Sequence, residues 1–126
     1  MKGQVKSVEN HTFIESTDKI AVNRGGKIFL VHLDKVTYFT SSGNGAEVKV
    51  DNKRYSTNLS LKNLESIILD KKFYRIHNSY IVNTDKIEEI IPWFNYTCKL
   101  KLKGIEEELL VSRSYYKLFK SRFLIS

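Results

Sequence analysis

The amino-acid sequence predicts a mostly β fold, made of small antiparallel sheets with one short helix between strands and one short C-terminal helix. Short segments rich in β-branched and aromatic residues recur along the chain, most of them with alternating apolar and polar positions. Glycine-containing turn signals separate several of these segments. Only two segments space their apolar residues as an α-helix does. With 126 residues, the chain has the length of one domain.

The first half of the chain has the pattern of strands joined by tight turns. Residues 1–17 are polar and weakly patterned, and we interpret them as a leader or the remnant of a linker, with 18–126 as the folded domain. Gly25-Gly26 marks a hairpin turn into residues 27–33, an apolar run typical of a buried strand. The other strands predicted in this half are 36–40, 48–50 and 53–57, with a loop at 41–45.

One segment between the strands has helical spacing. Leu61, Leu64, Ile67 and Ile68 fall on one face of a helix. Either Ser60 or Asn58 is placed to cap its start. We expect this short helix to pack across a sheet.

The second half returns to strand patterns and ends in another helix. Ser112 is placed to cap that helix, and Tyr115, Leu118 and Phe119 form its predicted packed face. The opposite face carries basic residues, with no Asp or Glu after Ser112. The strands predicted in this half are 80–82, 87–91, 99–103 and 109–111.

The charge balance favours a polyanionic partner without proving one. Twenty-one Lys and Arg against fourteen Asp and Glu give a net charge of +7. Such an excess suits nucleic acid, because each neutralised phosphate releases condensed counterions. No apolar run is long enough to span a bilayer or to form a signal peptide, so we expect a cytoplasmic protein without a membrane partner. The single cysteine, Cys98, is interpreted as a small half-buried side chain.

The residue patterns of enzymes, metal sites and cofactor sites are missing. One Cys and three scattered His cannot supply a usual zinc site, and no glycine-rich loop has phosphate-binding spacing. His77 is the one candidate for proton transfer, but its neighbours would not activate it. Glu106, Glu107 and Glu108 are interpreted as a solvated turn. We therefore expect no enzyme activity, no metal and no cofactor.

Two segments concentrate polar residues between apolar ends. Residues 73–83 hold Arg, His, Asn and Ser in their middle, and residues 111–117 begin a basic helix. Asn is suited to a bidentate contact with adenine, and Arg to guanine or phosphate. Taken alone, the first segment is better explained as a capped turn between two strands. The second could be a solvated helix face.

Together the two segments resemble the signature of the LytTR family of bacterial DNA-binding domains. The pattern Phe-x-Arg-x-His-Asn-Ser-x-x-Val-Asn spans Phe73 to Asn83, and Val-Ser-Arg-x-Tyr spans Val111 to Tyr115. The upstream order of strand, loop, hairpin and helix also fits, so the resemblance covers about residues 18–123. It implies small antiparallel sheets whose loops read successive major grooves of duplex DNA.

The resemblance also implies roles for individual residues. Asn78 and Arg113 match the base-reading Asn and Arg of the family. A third base contact comes from the loop at Asn44-Gly45-Ala46, where some relatives carry a His near the position of Ala46. Asn44 or Glu47 could replace that His, or the loop could contact only the DNA backbone. His77 matches a frequent family His and is assigned to support of its loop. The expected contacts to the DNA backbone are Arg75, Ser79, Ser114 and Lys117.

The partner implied is double-stranded promoter DNA, with tandem half-sites and DNA bending. Family members are commonly joined to a receiver domain, which this chain is too short to include, so we expect either a stand-alone regulator or a fragment of a longer one. The alternative from a different class is a non-catalytic protein-interaction module with a basic face. Binding of single strands is less favoured, because no exposed aromatic pair flanked by basic residues is evident.

Overall fold

The computed structural model describes residues 5–8, 11–14, 18–68 and 72–125. The chain is mostly β, as predicted. Two single-turn 3-10 helices, Leu33–Lys35 and Thr84–Lys86, join strands. The remaining elements are β1 (Val5–Val8), β2 (His11–Ile14), β3 (Lys19–Arg24), β4 (Lys27–His32), β5 (Tyr38–Ser42), β6 (Gly45–Val50), β7 (Lys53–Thr57), α1 (Leu61–Ile67), β8 (Phe73–His77), β9 (Tyr80–Asn83), β10 (Ile87–Trp93), β11 (Thr97–Leu102), β12 (Glu108–Val111) and α2 (Arg113–Arg122).

The described strands form three antiparallel sheets. The largest has seven strands in the order β4-β3-β7-β6-β5-β9-β8, and its strands β8 and β9 carry the first signature segment. A separate three-stranded sheet has the order β10-β11-β12, and β1 pairs with β2. The predicted hairpin turn is present, with Gly25 and Gly26 both at positive φ. Glycine accepts this conformation without steric cost.

The large sheet is buried on both faces where β5 and β9 run side by side. Phe39 and Ile81 belong to a first core that α1 covers. Their chain neighbours Tyr38 and Val82 belong to a second core on the opposite face. Successive side chains of a strand point to opposite faces, so two adjacent strands contribute to both cores. Packing on both faces therefore fixes the positions of β5 and β9, and β8 pairs with β9 at the edge of the sheet.

Helix α1 forms where the spacing predicted it. The hydroxyl oxygen of Ser60 accepts a hydrogen bond of 3.1 Å from the backbone N–H of Asn63, so Ser60 is the cap. Leu61 and Leu64 are buried in the first core, with Ile68 just beyond the helix end. Burial of such side chains stabilises the fold by about 1.5–3 kcal/mol each.

The second core is closed by the three-stranded sheet and α2. Phe119 is fully buried there, and Tyr115 packs against the same core, as predicted. Leu118 was predicted on this face and is instead 62% exposed, because it lies one position off the stripe that faces the sheet. Neither helix in the described ranges is long and apolar enough to cross a membrane.

The apolar run at 27–33 is not a buried strand, which corrects the prediction. It forms β4 at the edge of the large sheet, paired only with β3. Ile28 is 72% exposed and Leu30 is 66% exposed. These two side chains share the face opposite the first core, and no described element covers that face of β4.

Strands β1 and β2 were not predicted from the sequence. They form a hairpin in which Val8 is paired with His11, and Ile14 at its end is buried in the first core. Both strands are only four residues long, with two apolar residues each, so alternation is hard to detect. The interpretation of residues 1–17 as a leader or linker remnant stays a prediction.

Candidate nucleic-acid interface

The tight turn between β8 and β9 presents Asn78 to solvent. Its backbone is held by the Arg75 guanidinium, whose Nε donates to the carbonyl of His77 at 2.7 Å. Nη2 of Arg75 donates to the carbonyl of Asn78, also at 2.7 Å. His77 contributes as well, since its Nδ1 accepts a 3.0 Å hydrogen bond from the backbone N–H of Ser79. The turn is therefore braced from both sides of Asn78.

Arg75 is itself committed to contacts within the protein. Its Nη1 donates to Glu65 on α1 at 2.8 Å, so all three guanidinium nitrogens are hydrogen-bonded. Its side chain is only 15% exposed. This geometry suits a residue that positions the turn better than one that reaches out to a phosphate.

A backbone hydrogen bond joins this turn to the start of α2. The N–H of Ser112 donates to the carbonyl of Ile76 at 2.9 Å. Ile76 precedes Asn78 by two residues, and Ser112 directly precedes Arg113. The two candidate base-reading residues therefore emerge from neighbouring points of one edge, and both are exposed.

The start of α2 is open and basic. Ser112 occupies the cap position, but its hydroxyl makes no cap hydrogen bond and instead lies 3.2 Å from the hydroxyl of Ser114. No acidic residue stands in the first turn. Arg113, Ser114 and Lys117 are exposed on this helix. Free N–H groups and positive side chains at a helix start favour an anion.

The turn between β5 and β6 lies next to the same edge. The backbone N–H of Ser41 donates to the carbonyl of Ser79 at 3.1 Å, which links this turn to the Asn78 turn. Asn44 is exposed at the tip. Gly45 is needed here, because a Cβ on it would collide with the backbone carbonyl of Thr57. Two polar turns and the start of α2 thus meet at one edge of the large sheet.

The expectation for Ala46 requires correction. Its side chain is 1% exposed and belongs to the first core, so the methyl group cannot meet a ligand at this edge. Glu47, the other candidate, forms an ion pair of 3.0 Å with Arg54. Asn44 is consequently the best placed of the three side chains considered for this loop.

A polar cluster beneath the edge joins the large sheet to the small one. The Tyr38 hydroxyl donates to Glu107 Oε2 at 2.8 Å, and Lys49 Nζ lies 3.1 Å from the same oxygen. Burial, supported by Glu107, raises the pKa of Tyr38. Burial alone would raise the pKa of Glu107, but its hydrogen bonds, including those from Tyr38 and Lys49, lower it overall. Glu107 is therefore a structural ion and not part of a solvated turn.

A group of aromatic side chains that was not predicted as a site is exposed at the tip of the β10–β11 hairpin. Trp93, Phe94 and Tyr96 are 47%, 73% and 79% exposed. Tyr96 lines a surface groove together with Arg113 and Lys117. In the sequence, the only indication of this site is the run of aromatic residues around Asn95. The alternation of apolar and polar residues that marks the strand ends before this run. The expectation that no aromatic pair stands exposed among basic residues was wrong.

Comparison with known proteins gives the family. A model of the LytTr DNA-binding domain matches residues 26–124. The fold is also similar to the solved LytTr DNA-binding domain of a Bacillus cereus protein, with a TM-score of 0.77 and 26% identity, covering 83% of this chain and 95% of that one.

Longer relatives share the same region. The sensory transduction protein LytT of Bacillus subtilis is 34% identical over 102 residues, which cover 81% of this chain and 42% of that protein. The transcriptional regulatory protein YpdB of Escherichia coli K12 is 30% identical over 117 residues, 93% of this chain and 48% of that protein. The chain thus spans less than half the length of these relatives. Because the family model matches most of its residues, the chain belongs to the LytTR family of DNA-binding domains.

Proposed function

We propose that this domain binds duplex DNA at specific sequences, with three loops placed in successive major grooves, as the DNA-binding part of a bacterial transcription regulator. The observation that carries the proposal is a pair of backbone hydrogen bonds, Ser112 N–H to the Ile76 carbonyl and Ser41 N–H to the Ser79 carbonyl. They bring two polar turns and the start of α2 to one edge of the large sheet. Binding residues are often carried by loops that a rigid scaffold positions, and here the large sheet is that scaffold.

Two side chains are assigned to base reading on their chemistry and exposure. The Asn78 amide can pair with N6 and N7 of adenine, and the Arg113 guanidinium with O6 and N7 of guanine. Asn44 is the proposed third contact, made from the β5–β6 turn. All three side chains are exposed, and none is used in a hydrogen bond identified within the described ranges.

Other residues are assigned to the sugar–phosphate backbone or to support. Ser79, Ser114 and Lys117 are the proposed backbone contacts, helped by the uncapped N–H groups of α2. Arg75 was expected among them, and we now assign it to support of the Asn78 turn. His77 has the same supporting role, through its bond to the Ser79 N–H.

The setting of the domain follows from its relatives. We propose that it works in the bacterial cytoplasm, without enzyme activity, within a response regulator whose receiver domain lies outside this sequence. The promoter sites are proposed to be tandem half-sites that bend on binding. Bending costs free energy that depends on sequence, so bases that are never touched also contribute to specificity.

Selection of bound duplexes from a random pool, followed by titration, tests this function. We expect a recovered motif with two spaced half-sites and tighter binding to it than to random duplex, single strands or RNA. Binding should weaken steeply as salt rises. A pool without an enriched motif would contradict the proposal. If acidic proteins bind while duplex DNA does not, the alternative of a protein-interaction module with a basic face is favoured.

A further inference from the structure

The aromatic tip, defined as Trp93, Phe94 and Tyr96, is the largest exposed aromatic feature in the described part of the chain. Large aromatic side chains are usually buried, and exposure of several together marks an interaction surface. The tip belongs neither to the three loops assigned to base reading nor to either core. We therefore expect the tip to contact a ligand by itself.

The backbone of the tip is held in a strained conformation at two residues. Asn95 and Tyr96 have φ values of 56° and 57°, in the left-handed region. Asn accepts this conformation readily, whereas a residue as bulky as Tyr does so rarely. The Thr97 hydroxyl donates to the Phe94 carbonyl and closes the turn. Strain of this kind is found mostly at functional positions.

The surroundings of the tip are uniformly basic. Neither residues 90–105 nor residues 109–126 contain an Asp or a Glu. Lys99 Nζ lies 4.0 Å from the centre of the Trp93 ring, a cation–π contact. Tyr96 shares its groove with side chains of α2, namely Arg113, Tyr116, Lys117 and Lys120. The groove thus connects the tip directly to a proposed base-reading residue.

We propose that the aromatic tip is a fourth DNA contact, which packs its rings against the sugar–phosphate backbone beside the base pair read by Arg113. This inference rests on the proposed function. Lysines of the groove neutralise phosphates, and the ring faces of Phe94 and Tyr96 cover apolar deoxyribose surface. The charge of the groove selects a polyanion as the occupant. Since the contact reads no base edge, it strengthens binding to every sequence.

A variant that removes both rings without disturbing the turn tests the role of the tip. Phe94→Ser combined with Tyr96→Asn is suitable, because Asn tolerates the left-handed conformation at position 96. The matched control is Ile28→Ser combined with Leu30→Asn on β4, which also removes two exposed apolar side chains. Thermal unfolding of both variants checks that the fold is retained.

Affinity is measured by fluorescence anisotropy of labelled duplexes, one carrying the selected motif and one random. We expect the tip variant to bind both duplexes about tenfold more weakly, the lower part of the range for an aromatic side chain packed on a nucleotide. The control variant should bind both as the wild type does. A loss confined to the selected motif would overturn the sequence-tolerant role.

Trp93 supplies a second readout, because it is the only tryptophan in the chain. Quenching of its fluorescence by the neutral quencher acrylamide should decrease when duplex DNA is bound. If anisotropy reports binding while quenching and the affinity of the tip variant stay unchanged, the inference fails and the proposed function stands. If no duplex is bound at all, the proposed function itself fails. Protection of Trp93 by anionic phospholipid vesicles but not by DNA would assign the tip to a membrane surface and overturn the inference.

Discussion

The guanidinium of Arg75 donates a 2.7 Å hydrogen bond to the carbonyl oxygen of Asn78. The signature residue expected to touch a phosphate therefore holds the residue expected to read a base. A second donor of Arg75 binds the His77 carbonyl, and a third binds Glu65 on α1. The spacing of Arg and Asn in the signature is explained by this turn, in which the Arg side chain folds back across the hairpin end.

Arg75→Ala should damage DNA binding by loosening the turn. Two carbonyls lose a charge-assisted donor, and hydrogen bonds of this type contribute about 1.5–3 kcal/mol each to stability. We expect a lower midpoint of urea unfolding and a loss of preference for the selected motif. Glu65→Gln is the control, because an exposed ion pair contributes about 0.2–1 kcal/mol and the turn contacts are kept. Equal effects of the two substitutions would contradict the positioning role.

Asn83→Ala should destabilise the fold without changing the DNA surface. Asn83 is 1% exposed, its Nδ2 donates to the Val36 carbonyl at 2.9 Å, and its Oδ1 accepts from the Asp85 N–H at 3.0 Å. A buried group left without its partner costs about 1–3 kcal/mol. Urea unfolding measures the change. Asn63→Ala on the exposed side of α1 is the control and should change stability by less than about 0.5 kcal/mol.

The stability of the fold below neutral pH should depend on Glu107. Its pKa is lowered in the folded state, so the ionised carboxylate stabilises the fold above its unfolded pKa of about 4.3. That contribution is lost as the pH falls through the folded pKa. In Glu107→Gln, the free energy of unfolding should therefore fall less steeply with acidification. Parallel curves for the variant and the wild type would exclude this role. At neutral pH the variant should be less stable, since Lys49 loses its charged partner.

Cys98 should be unreactive in the folded protein. Its side chain is fully buried, and burial raises the pKa of the thiol to about 11. At pH 8 a thiol-specific reagent should react rapidly only after urea unfolding. The raised pKa also means that the protonated thiol favours the fold below its unfolded pKa, about 8.5, and that this contribution is lost as the pH rises towards 11. Rapid reaction without denaturant would contradict the assignment.

The sequence predicted elements well where packing followed periodicity. Leu61 and Leu64 pointed to α1, and the turn at Gly25-Gly26 matched the observed hairpin. The prediction of buried side chains failed where burial depends on the order of the strands in the sheet. The run containing Ile28 looks like an interior strand, yet β4 is an edge, and strand order cannot be obtained from local spacing.

The candidate site was predictable in its residues but not in their geometry. The signature located Asn78 and Arg113. The backbone hydrogen bond from the Ser112 N–H to the Ile76 carbonyl explains how segments so far apart in sequence come together at one place. Side-chain direction was the weak point. The prediction for Ala46 failed because its side chain is buried in the first core. The outward aromatic tip was missed because its turn follows no periodic pattern.

The most direct test of the central claim compares Arg113→Ala and Lys117→Ala on selected and random duplexes. We expect Arg113→Ala to lose about 1–3 kcal/mol on the selected motif and to relax the preference at one base pair. Lys117→Ala should weaken binding to both duplexes alike. It should also reduce by about 1 the slope of the logarithm of the binding constant against the logarithm of the salt concentration. An equal loss on both duplexes for Arg113→Ala would contradict the claim that this edge of the sheet reads bases.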